Sequence, residues 1–423
     1  MSDLPLTLFG LFALLLVIRV PISFSLGIAS AICLVMLDVP LSVVPQRIFT
    51  ALDSFPTMAI PFFILAGNLM TEGGISKRLV DFANSLLGNV RGGVAMACVL
   101  ACAFFAALSG SGPATVVAIG SMLYPQLVGM GYPKEKVGGL ITVSGGLGPI
   151  IPPSIIMVIY CTMTDNSVKS LFTAGFSAGM VITAALLLVT YVQAVTHKWP
   201  FRQDKITARE RWQSLVRSAL ALAMPAIVLG GIYGGIFTPT EAAAIAVAYA
   251  CMVSLFIYKD LNWGNVCRIM YDSAVSSSAI LFIIACSSVF SWLFAKGGIT
   301  AMVVNGITGL GMGYWSMIFM LSLILLVFGF FLEGTAIIVL LMPVMYPLAM
   351  SVGIDPIHFG IITCVAIVIG TMTPPVAVNI FACSTFSKLS VEEISRGELP
   401  WLFTMVAILF LLIVFPQIST FLL

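Results

Sequence analysis

The chain has 423 residues, of which 60% are hydrophobic and 9% charged, with a net charge of +2 and a mean hydropathy of +1.13. An average soluble domain is about 25% charged, so this composition excludes a water-soluble globular protein and offers no polyanion-binding surface. Nine cysteines without a CxxC pair read as buried packing residues, and two histidines are too few for a histidine metal centre.

About 20 apolar residues cross ~30 Å of hydrocarbon as a helix. Apolar runs predict spans near 4–18, 21–37, 57–71, 138–163, 171–195, 218–236, 241–258, 276–295, 357–386 and 399–416. Residues 1–20 carry no basic segment ahead of the apolar stretch, so they read as a first span and not as a signal peptide. The shorter segments 42–55 (with Arg47 and Asp53) and 260–275 (with Arg268 and Asp272) are predicted as interfacial helices lying along the membrane. Stretches 94–128 and 315–350 are broken in the middle, by Ser109-Gly110-Ser111-Gly112-Pro113 and by Glu333-Gly334-Thr335. Each arm has about 16 residues, roughly 24 Å of helix. A Gly-rich break at membrane depth is tolerated only against protein or a water-filled cavity, so both stretches are predicted to be re-entrant hairpins.

Charge tests this plan. With the N-terminus outside, and every span but neither hairpin crossing, sixteen of the nineteen Lys and Arg residues fall on the cytoplasmic side. Only Arg47, Lys169 and Lys296 remain outside, the asymmetry expected of an inner membrane protein. Both termini are then periplasmic. The first hairpin has its base inside and the second outside.

Gly112–Gly175 overlays Gly334–Gly397 without a gap, 222 residues apart, with thirteen identities in 64 positions. These include Gly148/Gly370, Pro152/Pro374 and Pro153/Pro375. The expected fold is an all-α polytopic membrane protein of two inverted-topology repeats, 1–196 and 218–423, joined by a basic cytoplasmic loop at 197–217. Each repeat holds one re-entrant hairpin and one Pro-Pro-broken span. Paired broken helices at matching places point to a carrier's binding site.

The breaks suggest the chemistry. Proline removes a backbone donor and clashes with the carbonyl four residues earlier. The carbonyls of Gly148 and Pro149, and those of Gly370 and Thr371, are thereby freed. A dehydrated monovalent cation can satisfy them, helped by the hydroxyls of Ser109, Thr335 and Thr373; a kink repaired by water or Ser/Thr side chains is the plainer alternative. Pro113 suits a first helical turn, so the return arms aim their positive ends at the tips. An anionic group held by backbone N–H with Ser109, Ser111, Thr115 or Ser154 fits that geometry, whereas Gly and Ser could also serve only a tight turn. Glu333 lies between two apolar arms, where a carboxylate costs at least roughly 2.5–3.5 kcal/mol. It can accept from substrate hydroxyls, assist a cation or carry a proton. Asn379 faces either the site or a neighbouring helix. Glu241 reads as a first-turn residue of a helix capped by Thr238 or Thr240. No GxxxxGK[ST] or HExxH occurs, and the one GxSxG, at Gly175–Gly179, lies inside an apolar span. An enzyme is not expected.

Taken together, GSGPAT at 110–115, GGLGPIIPPS at 145–154, FTPTEA at 237–242, LEGTA at 332–336 and GTMTPP at 370–375 resemble one family along the whole chain. It is the large membrane subunit of the tripartite ATP-independent periplasmic (TRAP) transporters, the DctM family. The resemblance implies an elevator-type carrier of the ion-transporter superfamily. It implies two partners, a small four-helix membrane subunit (here a separate polypeptide) and a periplasmic binding protein. It further implies sodium-driven uptake of an organic acid such as a C4-dicarboxylate, keto acid, sugar acid or sialic acid, with no organic cofactor. Carried over, one sodium site involves Ser109, Gly110, Gly148 and Pro149, and a second Gly334, Gly370, Thr371 and Thr373. The substrate lies between them near Ser109, Ser111, Ser154 and Glu333. A self-sufficient anion carrier of the same superfamily and a channel are the competing readings.

Overall fold

In the computed structural model, residues 4–87, 90–200, 206–309 and 311–423 are described. Among them the regular structure is helical throughout. Arg202 and Lys205 of the basic loop lie outside the described residues.

The chain opens with α1 (Leu4–Val17) and α2 (Ile22–Met36), followed by α3 (Val43–Leu52) and α4 (Phe55–Glu72), which meet at a 62° bend. Helix α5 (Ile75–Leu87) falls where the sequence analysis placed no element. It buries Ile75, Leu79, Val80 and Ala83 on one face and presents Lys77 and Asp81 on the other, an amphipathic pattern too polar for a span. Then come α6 (Gly93–Ser109), α7 (Gly112–Gly129), α8 (Lys134–Gly145), α9 (Ile155–Thr164) and α10 (Val168–Thr196).

Three expectations about the second half change. Helix α11 (Ala208–Tyr233) starts inside the segment taken as a basic loop. Thr207 and Glu210 form a reciprocal capping box, which satisfies two of the orphan donors at that helix start. Helix α12 (Pro239–Met252), extended by a π turn over Val253–Ile257, has the same box from Thr238 and Glu241. Helix α13 (Trp263–Lys296) runs unbroken for 34 residues through the expected junction between an interfacial helix and a span. The Ser276-Ser277-Ser278 run does not interrupt it, because each hydroxyl bonds back to a carbonyl three or four residues earlier. Helix α14 (Ile299–Thr308) was likewise not anticipated. The chain finishes with α15 (Tyr314–Gly329), α16 (Gly334–Ser351), α17 (Pro356–Thr371), α18 (Val378–Ser387), α19 (Val391–Val414) and α20 (Gln417–Thr420).

By length and composition, six helices are able to cross a membrane: α10, α11, α12 with its π turn, α13, α16 and α19. The bent pair α3–α4 makes a seventh. This is fewer than the ten spans expected, because 138–163 and 357–386 each divide into two short helices and α1 and α2 have 14 and 15 residues.

Helices α6 and α7 pack together as a hairpin around Gly110, and α15 packs on α16 around the turn before Glu333. The helix ends obey the 222-residue offset: α7 spans Gly112–Gly129 and α16 spans Gly334–Ser351. The packing crosses over, since α7 lies against α18 while α16 lies against α9. Helices α4 and α13 form a separate pair, with α12 on α4, and α2 and α3 on α13. This group touches the hairpins through α4 with α6 and α13 with α16.

The tightest seam joins α8 to α19. A Cβ on Gly139 would lie 2.2 Å from the backbone nitrogen of Glu398, and one on Gly397 would lie 2.0 Å from the carbonyl oxygen of Glu135. Backbone cannot rotate away as a side chain does, so the substitution Gly139→Ala must separate the helices, an overpacking that costs about 1–3 kcal/mol. Its thermal midpoint in detergent should fall below wild type. Gly129→Ala, with nothing within 4 Å, should leave it unchanged.

Candidate functional site

Both predicted breaks are real interruptions of the backbone. Helix α8 stops at Gly145 and α9 begins at Ile155, while α17 stops at Thr371 and α18 begins at Val378. Two of the four freed carbonyls find protein donors: the Ser154 hydroxyl donates to the Pro149 oxygen at 2.6 Å, and the Thr373 N–H donates to the Gly370 oxygen at 2.9 Å. For the carbonyls of Gly148 and Thr371, no hydrogen-bond donor is present among the described residues. A carbonyl oxygen has two lone pairs, so the first two retain capacity for a cation and the last two have all of theirs.

Each break is pressed against a hairpin. A Cβ on Gly148 would lie 2.5 Å from the Ser111 carbonyl oxygen, and one on Gly110 would lie 2.7 Å from that of Pro153. Gly110 also has φ 62°, a conformation that L side chains rarely adopt. In the second half, Gly370 crosses Gly329 so closely that a Cβ on either would meet the Cα of the other within 2.7 Å. The Val376 N–H donates to the Phe330 carbonyl at 2.9 Å, which pins the second break to its hairpin tip.

Four helix starts converge on the enclosed space. Ser111 is the N-cap of α7, Ser154 of α9, Glu333 of α16 and Ala377 of α18. A cavity of about 100 Å³ lies among them, lined by Ser111, Gly112, Pro149, Glu333, Thr371 and Asn379, together with Gly110, Gly334 and Thr335. No lysine or arginine lines it. Positive potential there comes from helix N-termini, whose first-turn N–H groups have no intrahelical acceptor.

The predicted residues divide by what they touch. Asn379 is 1% exposed, lines the cavity, and has no hydrogen-bond partner at either Oδ1 or Nδ2. Glu333 caps its own helix, its carboxylate accepting from the Thr335 N–H and hydroxyl, both at 3.1 Å, and it stays exposed beside the cavity. Thr115 is fully buried and donates to the Ser111 carbonyl at 2.8 Å. Its one proton spent there, it accepts from Ser109 Oγ at 2.8 Å; Ser109 Oγ in turn accepts from the Ser111 N–H at 3.4 Å, which leaves one Ser109 lone pair open. Ser154 donates to Pro149 and accepts from the Met157 N–H, so its hydroxyl is used in holding the break. The hydroxyls of Thr371 and Thr373 donate to Val368 and Ile369 carbonyls at 2.9 and 2.8 Å, again with lone pairs left over. Ser109, Ser154, Thr115, Gly148, Gly370 and Thr373 are not among the lining residues of the cavity.

A second cavity of about 210 Å³ shares Ser111, Ile155 and Ile280 with the first, and adds Ser109. Its far wall consists of Asn68 and Thr71 on α4 and Ser276 on α13, which the sequence analysis did not single out. Asn68 donates to Ser273 Oγ at 2.9 Å, tying α4 to α13. A lone Asn in the apolar run 57–71 was the available signal.

Hairpin tips and broken helices closing on one small chamber within a multi-pass helical chain define the permease of a membrane carrier. The family model for the tripartite ATP-independent periplasmic transporter DctM component matches residues 9–418, and the chain belongs to that family. It is 41% identical to the C4-dicarboxylate TRAP transporter large permease protein DctM of Rhodobacter capsulatus, over 98% of this chain and 97% of the relative. It is 38% identical to the isethionate TRAP transporter permease protein DctMQ of Oleidesulfovibrio alaskensis, over 98% of this chain and 65% of that longer relative. The fold matches the crystal structure of the YdaH transporter of Alcanivorax borkumensis with a TM-score of 0.66 over 89% of each chain, at 15% identity.

Replacing an orphaned buried polar group by an apolar one of similar shape is close to neutral or stabilising. Asn379→Leu is therefore expected to keep or raise the thermal midpoint while lowering transport at least tenfold. A lowered midpoint with unchanged transport would assign Asn379 to helix packing instead.

Proposed function

We propose that this chain is the large permease subunit of a sodium-coupled secondary transporter that imports an organic acid. A periplasmic binding protein delivers the substrate, and a small four-helix membrane subunit completes the complex. The observation that carries the proposal is the convergence of four helix N-termini, with no basic side chain, on one cavity. Helix ends attract a carboxylate without burying a lysine or arginine at membrane depth. The names of the relatives support a small organic anion as the class, one for C4-dicarboxylates and one for isethionate.

Sodium suits the donor set. The candidate ligands of the first site are the Ser109 hydroxyl and the backbone of Gly110, Gly148 and Pro149. Those of the second are the backbone of Gly334 and Gly370 with Thr371 and Thr373. All are uncharged oxygens, and the undonated carbonyls of Gly148 and Thr371 give one such oxygen to each site. Bound cations would fix both breaks and both tips, after which the substrate carboxylate meets the helix ends and its remaining polar groups meet Asn379 and Glu333. The two halves are read as inverted repeats with both termini in the periplasm of a bacterial inner membrane. The hairpins with their broken helices are read as the body that slides against α4 and α13, an elevator-type motion.

Reconstitution tests the coupling. Proteoliposomes holding this chain, the small subunit and the binding protein should accumulate substrate only under an inward sodium gradient. Accumulation unchanged when choline replaces sodium would overturn the coupling. The substitution Gly148→Ala forces a methyl group against the Ser111 carbonyl, and should raise the sodium concentration for half-maximal uptake by tenfold or more. An unaltered sodium dependence in that variant would remove Gly148 from the ion site.

A further inference from the structure

The second cavity has a polarity of its own. Along α4 its wall is Ile64, Gly67, Asn68 and Thr71, one i, i+3, i+4, i+7 face, and along α13 it is Ser276 and Ile280, one turn apart. Helix α4 reaches the first hairpin at Gly67, where a Cβ would lie 3.3 Å from the Cα of Ser109. Asn68 and Thr71 therefore stand beside the tip that Ser111 caps. Among the described residues no charged side chain lines the space. It has no means of anchoring a carboxylate by charge, so that anchor stays with the helix ends of the adjoining cavity, which shares Ser111.

What the α4–α13 wall offers is mostly lone pairs. The Thr71 hydroxyl donates to the Gly67 carbonyl at 2.8 Å, and the Ser276 hydroxyl to that of Asp272 at 2.9 Å. Each hydroxyl has thereby spent its one proton and keeps its capacity to accept. Asn68 gives one N–H to Ser273 Oγ at 2.9 Å, which leaves its second N–H and its carbonyl oxygen for a ligand. The Glu333 carboxylate, on the first cavity, is a further acceptor. A carboxylate or a keto group brings only acceptors to such a surface. A hydroxyl brings the proton that the surface lacks, and takes the spare Asn68 N–H in return.

We propose that Asn68, Thr71 and Ser276 recognise the hydroxyl groups of a hydroxylated organic acid, whose carboxylate sits at the helix ends next door. The inference rests on the carrier reading above and narrows its substrate. A site made to bond a hydroxyl discriminates against the analogue without one, because its own polar groups are then left unpaired. The wall belongs to α4 and α13, and the seat of the carboxylate to the hairpins and broken helices. Sliding of the hairpins along α4 would therefore break the hydroxyl contacts and loosen the substrate before its release.

The test is titration calorimetry on the full-length chain with its small subunit in sodium chloride. The probes are two pairs of acids that differ only in hydroxyls, succinate with malate and hexanoate with gluconate. Malate should bind at least fivefold tighter than succinate, or gluconate than hexanoate. Thr71→Val/Ser276→Ala removes two hydroxyls with little change of shape. It should bring that preference to within twofold and leave the affinity for the plain acid unchanged, whereas misfolding would weaken both members of a pair. Ser278→Ala, on α13 but outside both cavities, should keep the preference. Equal affinities within both pairs, no binding of either hydroxylated acid, or a preference that survives the double variant would overturn the proposal. The same titrations in choline chloride separate this wall from the ion coupling. A hydroxyl preference that persists there upholds the wall and overturns the coupling; sodium-dependent binding without a preference does the reverse.

Discussion

Main-chain groups cannot be left unsatisfied in hydrocarbon, and this protein breaks its helices there twice. Every feature of the centre follows from how the loose ends are managed. Ser154 takes up the Pro149 carbonyl, Thr373 that of Gly370, and Phe330 receives the Val376 N–H. What these internal bonds leave over, the carbonyls of Gly148 and Thr371 and the first-turn amides that Ser154 and Glu333 do not take, is a set of acceptors and donors at the hairpin tips. Such a pairing suits opposite charges, because each charge then offsets the other in a low-dielectric site.

Close backbone approach makes the pairing possible. Gly148 against Ser111, Gly110 against Pro153 and Gly329 against Gly370 are contacts that a single methyl group would force apart. They bring tip and break within reach without an intervening side chain. The same logic places Asn379 beside Gly112, where a Cβ would lie 2.9 Å from its Oδ1.

Much of this was legible in the residues. The Pro-Pro pairs marked both interruptions, the Gly-Ser tip marked the first hairpin, and the 222-residue offset anticipated helix ends that coincide in α7 and α16. What escaped had physical reasons. Helices α5 and α14 are ten to thirteen residues long, and a search for apolar runs passes over short amphipathic pieces. Three serines in α13 looked like a junction but close bonds within their own helix. Ser154 and Thr115 looked like ligand groups, yet a hydroxyl has one proton, and theirs is spent on Pro149 and Ser111. Asn68 and Ser276 sit more than two hundred residues apart on different helices, and only the folded chain shows them on one wall.

The crossed packing of α7 on α18 and of α16 on α9 carries a consequence for the chain's assembly. Each hairpin takes part of its cover from a helix far away in the sequence. A chain cut between α10 and α11 would leave one face of α7 and one of α16 bare, so both parts have to be present together to close the centre.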